Sequence, residues 1–218
     1  SANTPNDELT TCGGAIEGVR AKVTMIGGQI TNCKADKLGG GIYLYSEGAT
    51  SDETTSSFTM TGGEIDHCEA FASQAGGGAY INGVNRSSGS AGNRVWYAQV
   101  TLTKGKIHDN CAAINGGPSA NGRGAGSHCA RSKVYMNGDE MEIYNNQAKY
   151  FGGGIQIGQG SIFSFSKGKI YNNTAYNSTV SEFSSVSSGG GGIHIGYGLD
   201  FDSHTDTVPS EMIMTGGE

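Results

Sequence analysis

Apolar and polar positions alternate along the chain in short bursts, and one burst returns six times. Val23/Met25, Phe58/Met60, Val100/Leu102, Val134/Met136, Phe163/Phe165 and Met212/Met214 are each an apolar-x-apolar pair. A period of two places both members on one face of a β-strand. The copies are unequally spaced, with 35 residues from Val23 to Phe58 and 49 from Phe163 to Met212. That inequality excludes fixed-period helical arrays of the tetratricopeptide or ankyrin kind. A β-solenoid tolerates it, because each coil keeps its strands and varies its loops.

Each copy has two further parts. After a Gly-containing bend comes Ile-x-x-[Cys/Asn]-x-Ala, as in Ile30/Cys33/Ala35, Ile65/Cys68/Ala70, Ile107/Asn110/Ala112, Ile143/Asn146/Ala148 and Ile170/Asn173/Ala175. The third part resembles Gly-Gly-Gly-Ile-x-Ile, with inward pairs at Ile42/Leu44, Ala79/Ile81, Ser127/Cys129, Ile155/Ile157 and Ile193/Ile195. No copy can bury its apolar stripe alone, but stacked copies can, like over like at about 4.8 Å. The pattern predicts an all-β, single-stranded parallel β-helix with three short strands per coil and long corner loops. About five full coils are expected, with "CGGAI" at 12–16 and "MIMTGGE" at 212–218 as partial ones. The coil from Val134 carries two extra residues between Met136 and Ile143. An even insertion keeps the inward face inward, so a bulge is expected to absorb it. Residues 1–218 read as one β-helix domain, a piece of a longer protein, with 1–11 as an N-terminal cap or tail.

Composition changes the picture in what it excludes. Gly stands at 38 residues, Pro at 3, and charged residues at 16%. Such a mix also suits a disordered linker, but the regular β-branched and aromatic positions do not. Net charge is −6 with no basic stripe, which argues against nucleic-acid binding. No apolar run approaches the ~20 residues of a membrane-spanning helix. The Gly-Gly-Gly stretches lead into strands rather than opening helices, so they read as bends and not as phosphate loops. Five cysteines without C-x-x-C or zinc-ligand spacing do not describe a dense disulfide framework.

"GGAI" at 13–16, "GGGI" at 39–42, 152–155 and 190–193, and Ile-x-x-Asn at 107–110, 143–146 and 170–173 carry a resemblance. They are similar to the Gly-Gly-Ala-Ile and Phe-x-x-Asn repeats of polymorphic outer-membrane proteins and autotransporter passengers, with Ile in place of Phe. The resemblance implies a right-handed parallel β-helix of a bacterial surface protein, extracellular or on the cell surface, adhesin-like and engaged in host interaction. That group spans adhesins, antibody binders and proteins without a known role, so fold alone does not give activity.

Several columns and loops are candidates for chemistry. Asn110, Asn146 and Asn173 share one column and read as a buried amide ladder at a bend. Cys33 and Cys68 occupy that column in earlier coils, close enough for either stacked thiols or a disulfide. Cys129 reads as core filler. Tyr43, Tyr80, His128, Gln156 and His194 form an outward column on the third strand, suited to sugar stacking or to plain cross-coil packing. His67 and His108 read as solvated bend residues. The segment 83–99 holds the only tryptophan, Trp96, beside Tyr97, Arg86 and Arg94. These are the residue types that anchor binding patches, although Trp96 could equally fold down onto its own coil. Asp200, Asp202 and Asp206 lie in an acidic loop that either holds Ca²⁺ or is simply solvated. Thr24, Thr59 and Thr101 suggest an ice-binding array, which then breaks at Tyr135 and Ser164. No outward acidic column supports glycosidic cleavage. The expectation is a noncatalytic binding, adhesion or spacer module whose partner is a host glycoprotein, antibody or glycan, with no cofactor. A polysaccharide lyase or glycoside hydrolase is the alternative, and an ice-binding protein a remote one.

Overall fold

A computed structural model describes residues 12–71, 76–86, 94–114, 122–176, 189–196, 199–201 and 206–218. The chain is all-β, with three parallel sheets running along it. The first sheet orders Lys22–Thr31, Ser57–Asp66, Ala98–His108, Ser132–Tyr144, Ile162–Tyr171 and Glu211–Met214. The second consists of two-residue strands, Lys34–Ala35, Glu69–Ala70, Cys111–Ala112, Gln147–Ala148 and Thr174–Ala175. The third orders Ile16–Val19, Ile42–Tyr45, Ala79–Asn82, Ser127–Ala130, Ile155–Gly158 and Ile193–Ile195. In each of these three sheets neighbouring strands come from successive copies of the repeat, an arrangement consistent with a parallel β-helix.

Register follows the apolar pattern. Val23 pairs with Phe58, Phe58 with Val100, Val100 with Val134, Val134 with Phe163, and Phe163 with Met212. Ile30, Ile65, Ile107, Ile143 and Ile170 form a second column and Ile16, Ile42, Ala79, Ser127, Ile155 and Ile193 a third. These columns meet in one buried core that includes Phe58, Ile65, Leu102, Ile107, Phe163 and Phe165. On the second sheet the column is Ala35, Ala70, Ala112, Ala148 and Ala175. Methyl groups there let the chain turn within two residues.

The strands divide differently from the expectation. The first part and the isoleucine of the second lie on one long strand, the alanine of the second on a two-residue strand of its own, and the glycines before the isoleucine are bulges where register shifts. At Gly63 φ is +92° and a Cβ would lie 2.7 Å from the Gly28 carbonyl oxygen, so only glycine fits. The true bend comes after the isoleucine. Asn32, His67, Asp109, Asn145 and Asn172 all have φ between 50° and 55°. Asn, Asp and His are the side chains that enter the left-handed region most readily. The two-residue insertion after Met136 is absorbed in the long strand by a register irregularity, with Met141 buried opposite Gly105.

Directly after that bend, Asn110, Asn146 and Asn173 point inward as a ladder. Nδ2 of Asn146 shares its two hydrogens among the carbonyls of Ile107 and Tyr144 and Oδ1 of Asn173, each at 2.9 Å. Asn110 Oδ1 accepts the backbone N–H of Cys68 at 2.9 Å, which carries the ladder into the cysteine part of the column. On the outer side of the long strands, Gln29, Glu64, Lys106, Glu142 and Lys169 occupy one register column of alternating character. Gln29 donates to Glu64 at 2.9 Å, and Lys106 lies 3.5 Å from Glu64.

Candidate ligand-binding corner

The third sheet ends at a corner built on serines. Ser56 Oγ donates to the Tyr45 carbonyl at 2.7 Å, and Ser46 Oγ to that of Asn82 at 2.9 Å. Ser132 Oγ and Ser161 Oγ donate likewise to the carbonyls of Ala130 at 2.9 Å and Gly158 at 2.6 Å. Each of these carbonyls belongs to the last residue of its strand, and all four serines are buried. The hydroxyls satisfy backbone groups that the turning chain would otherwise leave unpaired. They also fix where Tyr45 and Asn82 leave the sheet.

At this corner a cavity of about 280 Å³ opens between Tyr43, Tyr45, Ser46 and Glu47 on one side and Asn82, Gly83, Val84 and Arg131 on the other. The rings of Tyr43 and Tyr45 stack at 5.0 Å with 19° between their planes. Arg131 Nη1 donates to Asn82 Oδ1 at 3.0 Å. A Cβ at Gly83 would come within 2.1 Å of the Arg131 carbonyl oxygen and 2.4 Å of that of Trp96. Glycine therefore lets three chain segments converge at the cavity.

Part of the expected loop 83–99 is an antiparallel hairpin rising from this corner. Val84–Arg86 pairs with Arg94–Trp96, Val84 facing Trp96 and Arg86 facing Arg94. For Arg86 and Arg94 the description covers the backbone only. Trp96 is half-buried, and its indole Nε1 is enclosed without a hydrogen-bond partner among the described residues. Tyr97 anchors the hairpin base. Its N–H donates to Asp52 Oδ1 at 2.8 Å, its carbonyl accepts from Thr55 Oγ1 at 2.8 Å, and Lys133 lies over its ring at 4.8 Å. Lys133 is also 3.4 Å from Asp52. Burial pushes the Tyr97 hydroxyl above its ordinary range.

The outward column of the third sheet is not the open face its residue types suggested. Tyr80, His128 and Gln156 are only 4%, 3% and 3% exposed. Tyr80 and His128 meet edge-on at 4.6 Å, and His194 Nδ1 lies 2.6 Å from Gln156 Oε1. Tyr43 and His194, at either end, remain partly exposed. Burial, with Arg123 nearby, lowers the His194 pKa.

A second aromatic column, one residue beyond the isoleucines, was not read from the sequence. His108 stacks on Tyr144 at 4.7 Å and 5°, and Tyr144 on Tyr171 at 5.1 Å and 8°. His108 is therefore a packed strand residue and not a solvated bend. His67 is the bend residue, exposed, with Nδ1 2.7 Å from Asp66 Oδ2. Where rings stack this closely, their faces cover one another and mainly edges remain for a ligand.

Neither a family model, nor a curated protein, nor a solved structure matches this chain. The resemblance to surface-protein repeats therefore has only the sequence motifs behind it. Among the described residues no helix is long and apolar enough to cross a membrane.

The other candidate sites are placed as follows. All five cysteines carry free thiols, Cys33 donating to the Thr31 carbonyl at 3.4 Å and Cys68 to that of Asp66 at 3.3 Å. Burial pushes the Cys68 thiol up to about 12. Cys129 lies in the core, as its position in an inward column implied. Leu199–Phe201 pairs antiparallel with Asp206–Val208 in the acidic segment, Asp200 opposite Thr207 and Asp206 opposite Phe201. Asp202 and the side chains of Asp200 and Asp206 lie outside the described residues. Among the described residues no group of three or more His, Cys, Asp or Glu is placed to hold a metal ion. Thr24, Thr59 and Thr101 are in register, and Tyr135 interrupts them.

Proposed function

We propose that the chain is a right-handed parallel β-helix of about five full coils, counted from the repeat, that serves as a noncatalytic extracellular binding or adhesion module of a bacterial cell-surface protein. Its partner is a host glycoprotein, antibody or glycan, met at the corner where the third sheet ends. The observation that carries this reading is the convergence there of Tyr43, Tyr45 and the Tyr97-anchored hairpin on a stack of hydrogen-bonded strands. Aromatic anchors on a preorganised support lose little freedom when a partner is bound. Glycan arrays and capture from host secretions, with wild type beside Trp96→Ala, test it. A partner retained by wild type and lost by Trp96→Ala supports the reading, and no partner in either assay overturns it.

One observation favours the enzymatic alternative. A shallow groove of about 440 Å³ on the first sheet is lined by Glu64, Glu140, Lys104 and Lys106 among others. Two carboxylates on one face are what glycoside cleavage requires. Their state argues for a different role. Lys104 sits 2.7 Å from Glu140, and the Gln29 hydrogen bond holds Glu64 below the usual carboxylate range. A general acid needs the opposite shift. Incubation with pectin and glycosaminoglycan panels decides between the two, since release of oligosaccharides would favour the enzyme.

A further inference from the structure

We propose that the cavity between Tyr43, Tyr45, Glu47, Asn82 and Arg131 is a monosaccharide site that takes one neutral hexopyranose unit of a glycan. The inference rests on the binding-module reading and names its ligand class.

Size comes first. A volume of about 280 Å³ lies just below the ~300–1,000 Å³ range of small-molecule sites. It admits one sugar ring, with the rest of a glycan leaving through the open mouth. Chemistry comes second. A pyranose has a C–H face that packs on aromatic rings and a rim of hydroxyls that both donate and accept. Tyr43 is packed between Tyr45 and Tyr80, whereas among the described residues Tyr45 meets no ring but Tyr43, so Tyr45 supplies the aromatic surface at the cavity. Glu47 supplies carboxylate oxygens that accept from adjacent hydroxyls, and Asn82 an amide. On the closed third-sheet column and the self-stacked His108–Tyr144–Tyr171 column, by contrast, aromatic faces are covered by neighbours.

Charge selects the class. Arg131 is engaged with Asn82 through Nη1, so it shapes the wall of the cavity and holds the amide in place. Glu47 is exposed at the same cavity. With the Glu47 carboxylate and the Arg131 guanidinium both lining the cavity, the charged groups balance, which suits a sugar that brings hydroxyls and no net charge. The support is preorganised: Ser56 and Ser46 hold the carbonyls of Tyr45 and Asn82, so little is ordered on binding.

Saturation-transfer NMR on the full chain tests the site. The probes are methyl β-D-galactopyranoside, methyl β-D-glucopyranoside and methyl α-D-mannopyranoside, with methyl β-D-glucuronide and N-acetylneuraminic acid as acidic comparators. At least one neutral glycoside is expected to show saturable transfer, and the acidic sugars none. Binding should weaken at least about tenfold in Glu47→Gln, which removes a charged acceptor. Tyr45→Phe keeps the ring and should bind within about threefold of wild type, and Tyr45→Ala should not bind. Glu47 is a surface residue, so Glu47→Gln with an unchanged melting curve keeps the test decisive even if Tyr45→Ala unfolds. Absence of transfer from every neutral probe, a preference for the acidic sugars, or full binding by Glu47→Gln overturns the site. A partner that is lost in Trp96→Ala but retained by Glu47→Gln would overturn this site while leaving the binding-module reading intact.

Discussion

Nδ2 of Asn110 donates to Oδ1 of Asn146 at 3.0 Å, and the backbone N–H of Asn110 reaches the same oxygen at 3.1 Å. One amide oxygen thus serves two donors from the preceding turn, in a place closed to water. Asn146→Ala removes that acceptor and the donor to the Ile107 carbonyl together. Stranding buried polar groups costs about 1–3 kcal/mol each, so a loss of roughly 2–4 kcal/mol is expected. Asn173 is less buried and its replacement should cost less. Urea unfolding of the two alanine variants measures the difference.

The glycines of the chain are not equivalent. A Cβ at Gly154 would lie 2.5 Å from the Gly192 carbonyl oxygen and 2.9 Å from Asn173 Nδ2, while one at Gly27 meets nothing within 4 Å. Gly154→Ala is therefore expected to destabilise by about 1–3 kcal/mol through overpacking. Gly27→Ala should stay within about 0.5 kcal/mol of wild type. Thermal melts of the pair would contradict this account if the order were reversed.

Cys129 gives the protein a defined alkaline weakness. Its thiol lies fully buried and is pushed up to about 12 by desolvation. A group whose folded pKa is raised stabilises fully below its unfolded pKa and loses that contribution as pH rises toward the folded value. The window therefore runs from about pH 9 to about pH 12, with a slope of at most ~1.4 kcal/mol per pH unit from this group. Cys129→Ala should be less stable at neutral pH but lose stability more gradually above pH 9. Denaturant titrations across that range, under reducing conditions, provide the comparison.

The hairpin base depends on Asp52, which accepts the Tyr97 N–H and sits beside Lys133. Asp52→Ala should leave the core intact and speed amide exchange at Tyr97 by about tenfold, the value of one lost hydrogen bond of ~1–2 kcal/mol. Unchanged exchange at Tyr97 would show that Thr55 and backbone pairing hold the base unaided.

The columns of Val23 to Met212 and of the isoleucines were legible because period two is a direct image of strand geometry. The bend was not, because it needs no apolar signature. Its mark is an Asn, Asp or His two residues after the isoleucine, a run visible in retrospect at Asn32, His67, Asp109, Asn145 and Asn172. The position between isoleucine and bend, Thr31, Asp66, His108, Tyr144 and Tyr171, reads as a gradual turn from polar to aromatic and could have revealed the stacked column. Burial of Tyr80, His128 and Gln156 was beyond reach, since alternation tells which way a side chain points and not what lies over it. The cavity at Tyr43 and Tyr45 was half legible. Tyr43 stood in a recognised column, but Glu47, Asn82 and Arg131 reach it from three separate turns.

Near-identical greasy columns leave one ambiguity for a folding chain: a turn could dock as comfortably on its second neighbour as on its first. The outer row Glu64, Lys106, Glu142, Lys169 weighs against the second choice. Skipping a turn would set Glu64 against Glu142 or Lys106 against Lys169, and like charges directly opposite are penalised by roughly 0.2–1 kcal/mol per pair. The alternation of sign works as a parity check, a bias toward the neighbour-on-neighbour stack.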